Sequence, residues 1–167
     1  MSADLDAYRG AVIDDINIDG CRLLAVGINP GLWTAKVGAR DGLTDDDLAL
    51  LADAGLGFTN VVARATARAG ELGADEIRDG GRILEDKVAR QRRRPGGPEI
   101  VMVAGIGAFR TAFGSTGPDG RKVVVGKQQR EIGGAETWVV PNPSGLNAHE
   151  TVDSLARAYR EVWERLD

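Results

Sequence analysis

The sequence contains one cysteine, one histidine and only 5% aromatic residues. A single cysteine, Cys21, excludes an internal disulfide and every zinc or iron–sulfur site that requires several cysteines. Because His149 is the one histidine, a Cys–His catalytic pair and a histidine-rich metal site are both disfavoured. These counts argue against such metal sites, and we expect a protein that uses neither a metal nor a cofactor.

Long hydrophobic runs and an excess of positive charge are also missing. No apolar run approaches the roughly 20 residues of a membrane-spanning helix, and residues 1–20 are acidic rather than signal-like. We therefore expect a cytoplasmic protein without membrane contact. The net charge of −4 is not that of a general nucleic-acid binder. A small DNA enzyme remains compatible with it, because phosphate contacts depend on where the charges lie.

The chain of 167 residues has the length of one domain, with 43% hydrophobic residues to form a core. We predict a single domain over residues 1–167, in which 1–20 are a polar lead-in. Short apolar runs alternate with helical patterns, which is typical of a three-layer α/β/α sandwich with a mainly parallel central sheet. The predicted main strands cover 21–26, 58–62, 100–104 and 137–140, with minor strands at 123–125 and 130–132 and a loop at 33–42.

Four helices are predicted from capping signals and from apolar residues at helical spacing. Thr44 and Asp47 form a capping box, Ala74 begins a long amphipathic helix, Gly105 precedes a short one, and Asn147 caps the last. The pair Gly80-Gly81 inside the long helix costs about 1 kcal/mol per residue relative to Ala, which indicates close packing. The last helix is predicted to bury one face, which carries Val152, Leu155, Tyr159, Val162 and Leu166.

Two strands end in similar loops that are far apart in sequence. Strand 21–26 leads into Gly27-Ile28-Asn29-Pro30-Gly31-Leu32, and strand 137–140 leads into Pro141-Asn142-Pro143-Ser144-Gly145-Leu146-Asn147. Each loop places an Asn among residues with rigid or permissive backbones. Open α/β sheets bind their ligands at the carboxyl ends of the strands. We therefore interpret the two loops as the two sides of one site.

Residues 27–32 and 142–147 resemble the two signature motifs of the mismatch-specific uracil-DNA glycosylases and thymine-DNA glycosylases, within the uracil-DNA glycosylase superfamily. Segments 57–66 and 80–84 are also similar to that family, so the resemblance runs from about residue 20 to the end. It implies base-excision repair of double-stranded DNA with G·U or G·T mispairs. The enzyme would flip out uracil or thymine and leave an abasic site. A monomer is the expectation for such an enzyme on duplex DNA.

The resemblance also implies roles for particular residues. Asn29 would hold the water that attacks C1′ of the flipped nucleotide, and Leu146 would be the wedge that enters the gap in the base stack. The extruded base would be bound by the first loop and by one residue of the second, namely Ile28, Pro30, Gly31 and Asn142. Contacts to the opposite guanine or to the strand would come from Ser144, Gly145, Asn147 and His149, although a neutral surface histidine is an equally good interpretation of His149.

One departure from the family leaves alternatives open. Relatives carry a longer segment after the first motif, with an aromatic residue that stacks on the flipped base. Here no Phe or Tyr lies between Leu32 and Gly57, and Trp33 is a candidate substitute. The alternative is a catalytically impaired protein that binds mismatched or abasic DNA. A nucleoside or nucleotide hydrolase on the same fold is a third hypothesis.

Three other patterns have structural explanations that we favour. Gly105-Ile106-Gly107 lacks the third glycine of a dinucleotide-binding loop and fits tight strand-to-helix packing. The basic cluster, defined here as Arg90, Arg92, Arg93 and Arg94, fits a solvated helix end better than a DNA contact. The acidic run from Asp45 to Asp47 fits pairing with the positive end of a helix dipole better than a metal site.

Overall fold

The computed structural model of the chain describes residues 2–38, 43–144 and 150–167. The α-helices are α1 (Ser2–Asp6), α2 (Leu32–Val37), α3 (Asp45–Asp53), α4 (Ala74–Arg92), α5 (Ile106–Phe113) and α6 (Val152–Trp163). The strands are β1 (Leu23–Gly27), β2 (Leu56–Asn60), β3 (Ile100–Ala104), β4 (Gly126–Lys127) and β5 (Glu136–Val140), and short 3₁₀ helices cover Ala69–Glu71 and Glu164–Leu166. In the part of the chain so described, no helix combines the length and the apolar character needed to cross a membrane.

The five strands form one sheet in the order β2-β1-β3-β5-β4. The first four are parallel, with Leu23 of β1 opposite both Leu56 and Ile100, and β4 alone runs antiparallel, against β5. The predicted α/β class with a mainly parallel sheet is therefore confirmed. Strands β1 and β5 lie on either side of β3 and run parallel to it, so the loops that follow β1 and β5 lie at the same edge of the sheet.

Alternating side chains of the strands fill two separate cores, as expected of a sheet covered on both faces. On one face, Leu24, Val26 and Val103 pack with residues of α4 and α5 such as Leu84 and Phe109. On the other face, the buried residues of the strands pack with α6, and the cluster consists of Leu23, Ile100, Met102, Trp138, Val140, Val162 and Leu166. These two cores make the three layers.

Helix α4 approaches the chain closely at its two adjacent glycines, as the sequence indicated. A Cβ atom on Gly80 would lie 2.3 Å from the carbonyl oxygen of Val61, and one on Gly81 would lie 3.0 Å from that of Ala112. The distance at Gly80 is shorter than any real Cβ contact, so this position requires the absence of a side chain, whereas a Cβ at Gly81 would make a tight contact. Gly80 thereby lets α4 press against the segment that follows β2.

Several predicted boundaries were wrong. Residues 33–37 are not a loop but belong to α2, and the antiparallel strand β4 occupies the predicted turn at 126–127 rather than the flanking runs 123–125 and 130–132. In those runs, Val123 and Ile132 are buried by contact with the core and not by strand pairing. Strands β1 and β2 are also displaced by one or two residues from their predicted spans.

The last helix begins later than predicted. Thr151, not Asn147, caps α6, because its hydroxyl accepts a hydrogen bond from the backbone N–H of Ser154 at 3.1 Å. Asn147 lies outside the described residues, and Val152 is 83% exposed instead of facing the core. The Thr44–Asp47 capping box is confirmed, with the Asp47 carboxylate accepting from the Thr44 backbone N–H at 2.8 Å.

Glu136 forms a charged clamp at the amino-terminal end of β5. Its carboxylate accepts hydrogen bonds from Lys127 Nζ at 2.6 Å, from Trp138 Nε1 at 2.8 Å and from Arg165 Nε at 3.3 Å. The Lys127 hydrogen bond is the largest of these influences, and together they lower the pKa of Glu136 to about 2. The clamp joins β4, β5 and the end of the chain.

Gly80→Ala is expected to destabilise the protein by roughly 1–3 kcal/mol, because the added methyl meets backbone that cannot rotate away. Gly107→Ala is the matched control, since Gly107 lies in α5 and a Cβ there would meet nothing within 4 Å. The control should be stabilising by about 0.4–1 kcal/mol. Urea unfolding of both variants measures the difference, and equal stabilities would contradict the close approach of α4 to Val61.

Glu136→Gln is expected to lower the free energy of unfolding by roughly 1.5–3 kcal/mol at neutral pH, because hydrogen bonds to a charged group are lost. A carboxyl group whose folded pKa is depressed stabilises the fold above its unfolded pKa, and this contribution is lost as the pH falls toward the folded value. The difference between wild type and variant should therefore shrink between about pH 5 and pH 2. Urea unfolding across that range is the measurement. Glu131→Gln, at an exposed carboxylate, serves as the control. The clamp would be contradicted if the difference in free energy of unfolding between wild type and Glu136→Gln did not change with pH.

Candidate functional site

The two motif loops meet at the carboxyl edge of the sheet. They border a cleft of about 780 Å³, with Asn29 on one side, Asn142 on the other and Ala104, at the end of β3, between them. The strand order causes this meeting, because β3 lies between β1 and β5. The two Asn-containing loops therefore border one cleft.

A second cavity, of about 630 Å³, lies next to the cleft on the α6 face of the sheet. Its walls are mostly apolar, and they include the aromatic rings of Phe58 and Tyr159 as well as the polar residue Asn60 at the end of β2. Asn29 borders both the cleft and this cavity. The first motif loop is thus the partition between two spaces, either of which has room for a nucleobase.

The segment that follows β2 holds the first motif loop in place. Beyond the end of the sheet, the backbone N–H groups of Val61 and Val62 donate to the carbonyl oxygens of Gly27 and Ile28, both at 2.9 Å. Farther along, the N–H of Thr66 donates to the carbonyl of Pro30 at 3.2 Å. Parallel pairing of β1 and β2 therefore continues into the two loops and fixes the backbone around Asn29.

The side-chain amide of Asn29 is held by its nitrogen. Nδ2 donates to Thr66 Oγ1 at 2.8 Å and to the carbonyl oxygens of Arg64 at 3.1 Å and Pro30 at 3.2 Å. None of the described residues donates to Asn29 Oδ1. Since every contact of Nδ2 is to an oxygen, the hydrogen bonds assign nitrogen and oxygen of this amide. Oδ1 is consequently the end of the side chain that can accept a hydrogen bond from a ligand.

Arg64, whose carbonyl accepts from Asn29, is itself fixed by an ion pair. Its Nη2 donates to Glu76 Oε2 at 2.8 Å, and its Nε donates to the other carboxylate oxygen. The Glu76 hydrogen bond raises the pKa of Arg64, and the same bond lowers the pKa of Glu76. Helix α4 is thus connected to the backbone that receives the Asn29 amide.

The second motif loop is shaped by two side chains. Asn142 Oδ1 accepts from the backbone N–H of Ser144 at 3.1 Å, which forms a local turn. The Tyr159 hydroxyl of α6 donates to the carbonyl oxygen of Pro141 at 3.1 Å. Burial raises the pKa of Tyr159, so its hydroxyl keeps the proton that it donates. Helix α6 therefore anchors the point where β5 passes into this loop.

The remaining predicted residues of the first loop are all at the cleft. Ile28 is half-buried against the core, Pro30 is buried, and Gly31 is exposed and caps α2. The conformational reason given for Gly31 was wrong, since its φ of −77° is available to any residue. A Cβ there would meet nothing within 4 Å. The missing side chain instead leaves the cleft open at this point.

In the second loop, Ser144 is exposed and borders the cleft. The predicted wedge Leu146 and the predicted guanine or strand contacts Gly145, Asn147 and His149 lie outside the described residues. Helix α6 begins at Val152.

Three candidates from the sequence are not part of the site. Trp33 is 61% exposed on α2 and lines neither the cleft nor the cavity beside it. The basic cluster ends α4 at the opposite edge of the sheet, where Arg94 pairs with Asp19 ahead of β1 and Arg92 donates to the carbonyl of Pro98 ahead of β3. Cys21 is buried ahead of β1, and burial raises its pKa to about 11, which argues against a nucleophilic thiolate.

Sequence reasoning missed four residues that the fold brings to the site, namely Phe58, Asn60, Thr66 and Tyr159. Asn60 was predicted inside the strand 58–62, and only the observed bounds of β2 show that it ends the strand next to Asn29. Phe58 and Tyr159 fitted the pattern of core residues, and nothing in the pattern distinguishes a ring that lines a cavity. Thr66 lies in a segment without periodic apolar residues. Its position depends on backbone pairing with the first motif loop, which the sequence does not reveal.

Among the described residues, no three His, Cys, Asp or Glu side chains are placed to hold a metal ion. The cleft instead offers amide, hydroxyl and backbone groups on rigid loops at the carboxyl ends of parallel strands. Comparison with protein families identifies one match that spans most of the chain. The model of the uracil DNA glycosylase superfamily matches residues 13–167, so the chain belongs to this superfamily, whose members are DNA glycosylases that act on DNA in base-excision repair.

Proposed function

We propose that the protein is a monofunctional, mismatch-specific glycosylase that removes uracil, and also thymine, from G·U and G·T mispairs in double-stranded DNA. It acts as a monomer on a nucleotide flipped out of the duplex, which costs least at a mispair because the base is already poorly held. The superfamily assignment supports the reaction class, and the resemblance of both loops in sequence to the mismatch-specific branch supports the substrate.

One observation carries the proposal: the two motif loops face each other across a single cleft, with Asn29 and Asn142 on opposite sides. A flipped nucleotide that reaches Asn29 through this cleft would pass the second loop and place its base in the adjoining cavity, which shares Asn29, Ala104 and Pro143 with the cleft. The hydrogen bonds of Asn29 Nδ2 leave Oδ1 to accept a hydrogen bond from a water molecule. That water would then be oriented toward C1′.

The chemistry follows from these groups. The oxygen of the water forms a bond to C1′ while the C1′–N bond breaks, and the base leaves with the bonding electrons. The proton of the water passes to the departing base or to solvent. An amide is not a general base at neutral pH, so Asn29 orients the water without taking its proton. Negative charge grows on the base, and fixed N–H donors of the loops are the groups suited to stabilise it.

Contact with the duplex is assigned to the second loop. Leu146 would enter the space that the flipped nucleotide leaves, because an apolar wedge offsets part of the cost of unstacking. Gly145 and Asn147 would face the unpaired guanine, while Ser144 and His149 would contact the strand. Ser144 and the Ala67–Gly70 segment border the open side of the cleft, where a DNA strand has room to approach.

A second candidate function is binding to mismatched or abasic DNA without turnover. It is favoured by the position of Trp33, whose ring lies outside the cleft and so cannot replace the stacking aromatic of relatives. The first candidate is preferred because Phe58 and Tyr159 bring two aromatic rings to the cavity beside Asn29. These rings offer a surface on which a base can stack.

Asn29→Ala is expected to lower the rate of uracil excision from a G·U duplex by roughly 100-fold or more, since the attacking water loses its orientation. Single-turnover strand cleavage with alkali measures the rate, and Gln129→Ala, a surface amide away from the cleft, is the control. Equal rates for wild type and Asn29→Ala would contradict the assigned role. A wild type that binds the mismatch but releases no uracil would establish the second candidate.

The double variant Arg90→Ala/Arg93→Ala is expected to bind G·U duplex with unchanged affinity, because the basic cluster lies at the opposite edge of the sheet. Fluorescence anisotropy at several salt concentrations is the measurement. The salt dependence should also match that of wild type, since each lost phosphate contact would reduce the slope by about one unit. A weaker affinity with a smaller slope would place the DNA on this surface instead.

A further inference from the structure

We propose that Thr66 is a positioning residue that sets the orientation of the Asn29 amide. The inference rests on the proposed function of Asn29 and assigns to it a partner on another loop. Thr66 is 2% exposed, and it lies at the base of the cleft that the two motif loops form. Its hydroxyl makes the shortest hydrogen bond of the Asn29 side chain, at 2.8 Å from Nδ2.

The polarity of this hydrogen bond is fixed by a second one. Thr66 Oγ1 donates its single proton to the carbonyl oxygen of Arg68 at 2.9 Å. A hydroxyl has one proton to donate, so toward Asn29 it can only accept. The atom of Asn29 that faces Thr66 must therefore be the nitrogen, and Oδ1 must lie at the other end of the amide.

The surrounding carbonyl groups act in the same direction. If the amide were rotated by half a turn, Oδ1 would face the carbonyl oxygens of Arg64 and Pro30 as well as the committed hydroxyl. Oxygen would then face oxygen without a hydrogen between them in a part-buried site, and Nδ2 would face the ligand. The rotated amide would offer a donor where an acceptor is needed to hold the hydrogen of the attacking water.

The role of the Thr66 hydroxyl can be tested without removing the backbone hydrogen bonds of this segment. The N–H of Thr66 donates to the carbonyl of Pro30, and the N–H of Ala65 donates to that of Ala11, and neither bond involves the side chain of Thr66. Thr66→Val keeps the shape of the residue and these backbone bonds but removes the acceptor for Asn29. Thr66→Ser keeps the hydroxyl and removes only a methyl group. The two variants therefore separate orientation of Asn29 from packing.

We expect Thr66→Val to excise uracil from a G·U duplex about 10- to 100-fold more slowly than wild type in single turnovers, because misoriented catalytic groups cost that much. Its affinity for the duplex should be unchanged, and Thr66→Ser should stay close to the wild-type rate. In an Asn29→Ala background, Thr66→Val should cause no further loss, since it acts through Asn29. The inference would be overturned if Thr66→Val excised uracil at the wild-type rate. It would also be overturned if Thr66→Val slowed excision by the same factor in the Asn29→Ala background as in wild type.

A second measurement does not depend on activity. In the ¹⁵N-labelled protein, the side-chain NH₂ signal of Asn29 is assigned by its disappearance in Asn29→Ala, and its hydrogen exchange with solvent is measured. Exchange should be slow in wild type and Thr66→Ser, and about 10-fold faster or more in Thr66→Val and Thr66→Ala, because a protecting hydrogen bond is removed. Unchanged exchange in these variants would overturn the inference, even if the wild type releases no uracil and the proposed function fails.

Discussion

The pairing between residues 61–66 and the first motif loop is the constraint on which the site depends. It extends the β1–β2 ladder past the end of the sheet, so that Gly27, Ile28 and Pro30 each accept a backbone hydrogen bond from this segment. The same segment supplies the oxygens that receive the Asn29 amide. Both the backbone and the side chain of Asn29 are therefore positioned by one neighbour, which Gly80 of α4 contacts closely from behind.

The amino and carboxyl edges of the sheet, where the parallel strands begin and end, carry different kinds of residues. The amino edge carries the ion pairs Arg22–Glu99 and Arg94–Asp19 and the clamp on Glu136, which join chain segments that are distant in sequence. The carboxyl edge carries small, rigid or amide-bearing residues around two cavities. The Arg64–Glu76 ion pair lies beside this edge, where it fixes the backbone that receives the Asn29 amide.

Particular elements show how far the sequence could be interpreted. Helix α4 was predicted to begin at Ala74, as observed, because nineteen residues with a strong apolar period leave little ambiguity. Helix α2 was missed, since six residues that include Trp33 and Thr34 carry no period. Strand β4 was misplaced because two residues pair only where β5 offers them a free edge. Asn147 was predicted as the cap in place of Thr151, because Asn ranks above Thr among N-cap residues.

The sequence by itself determined the α/β class, the two Asn-containing loops and their common edge, because apolar period and turn residues act locally and parallel strands end together. Tertiary structure alone decided which atom of Asn29 is available to a ligand. That choice depends on Thr66, Arg64 and Pro30, whose oxygens converge only after β1 and β2 have paired. It also decided that Trp33 lies outside the cleft and that Phe58 and Tyr159 line the neighbouring cavity, since the direction of a ring follows from packing and not from its place in the chain.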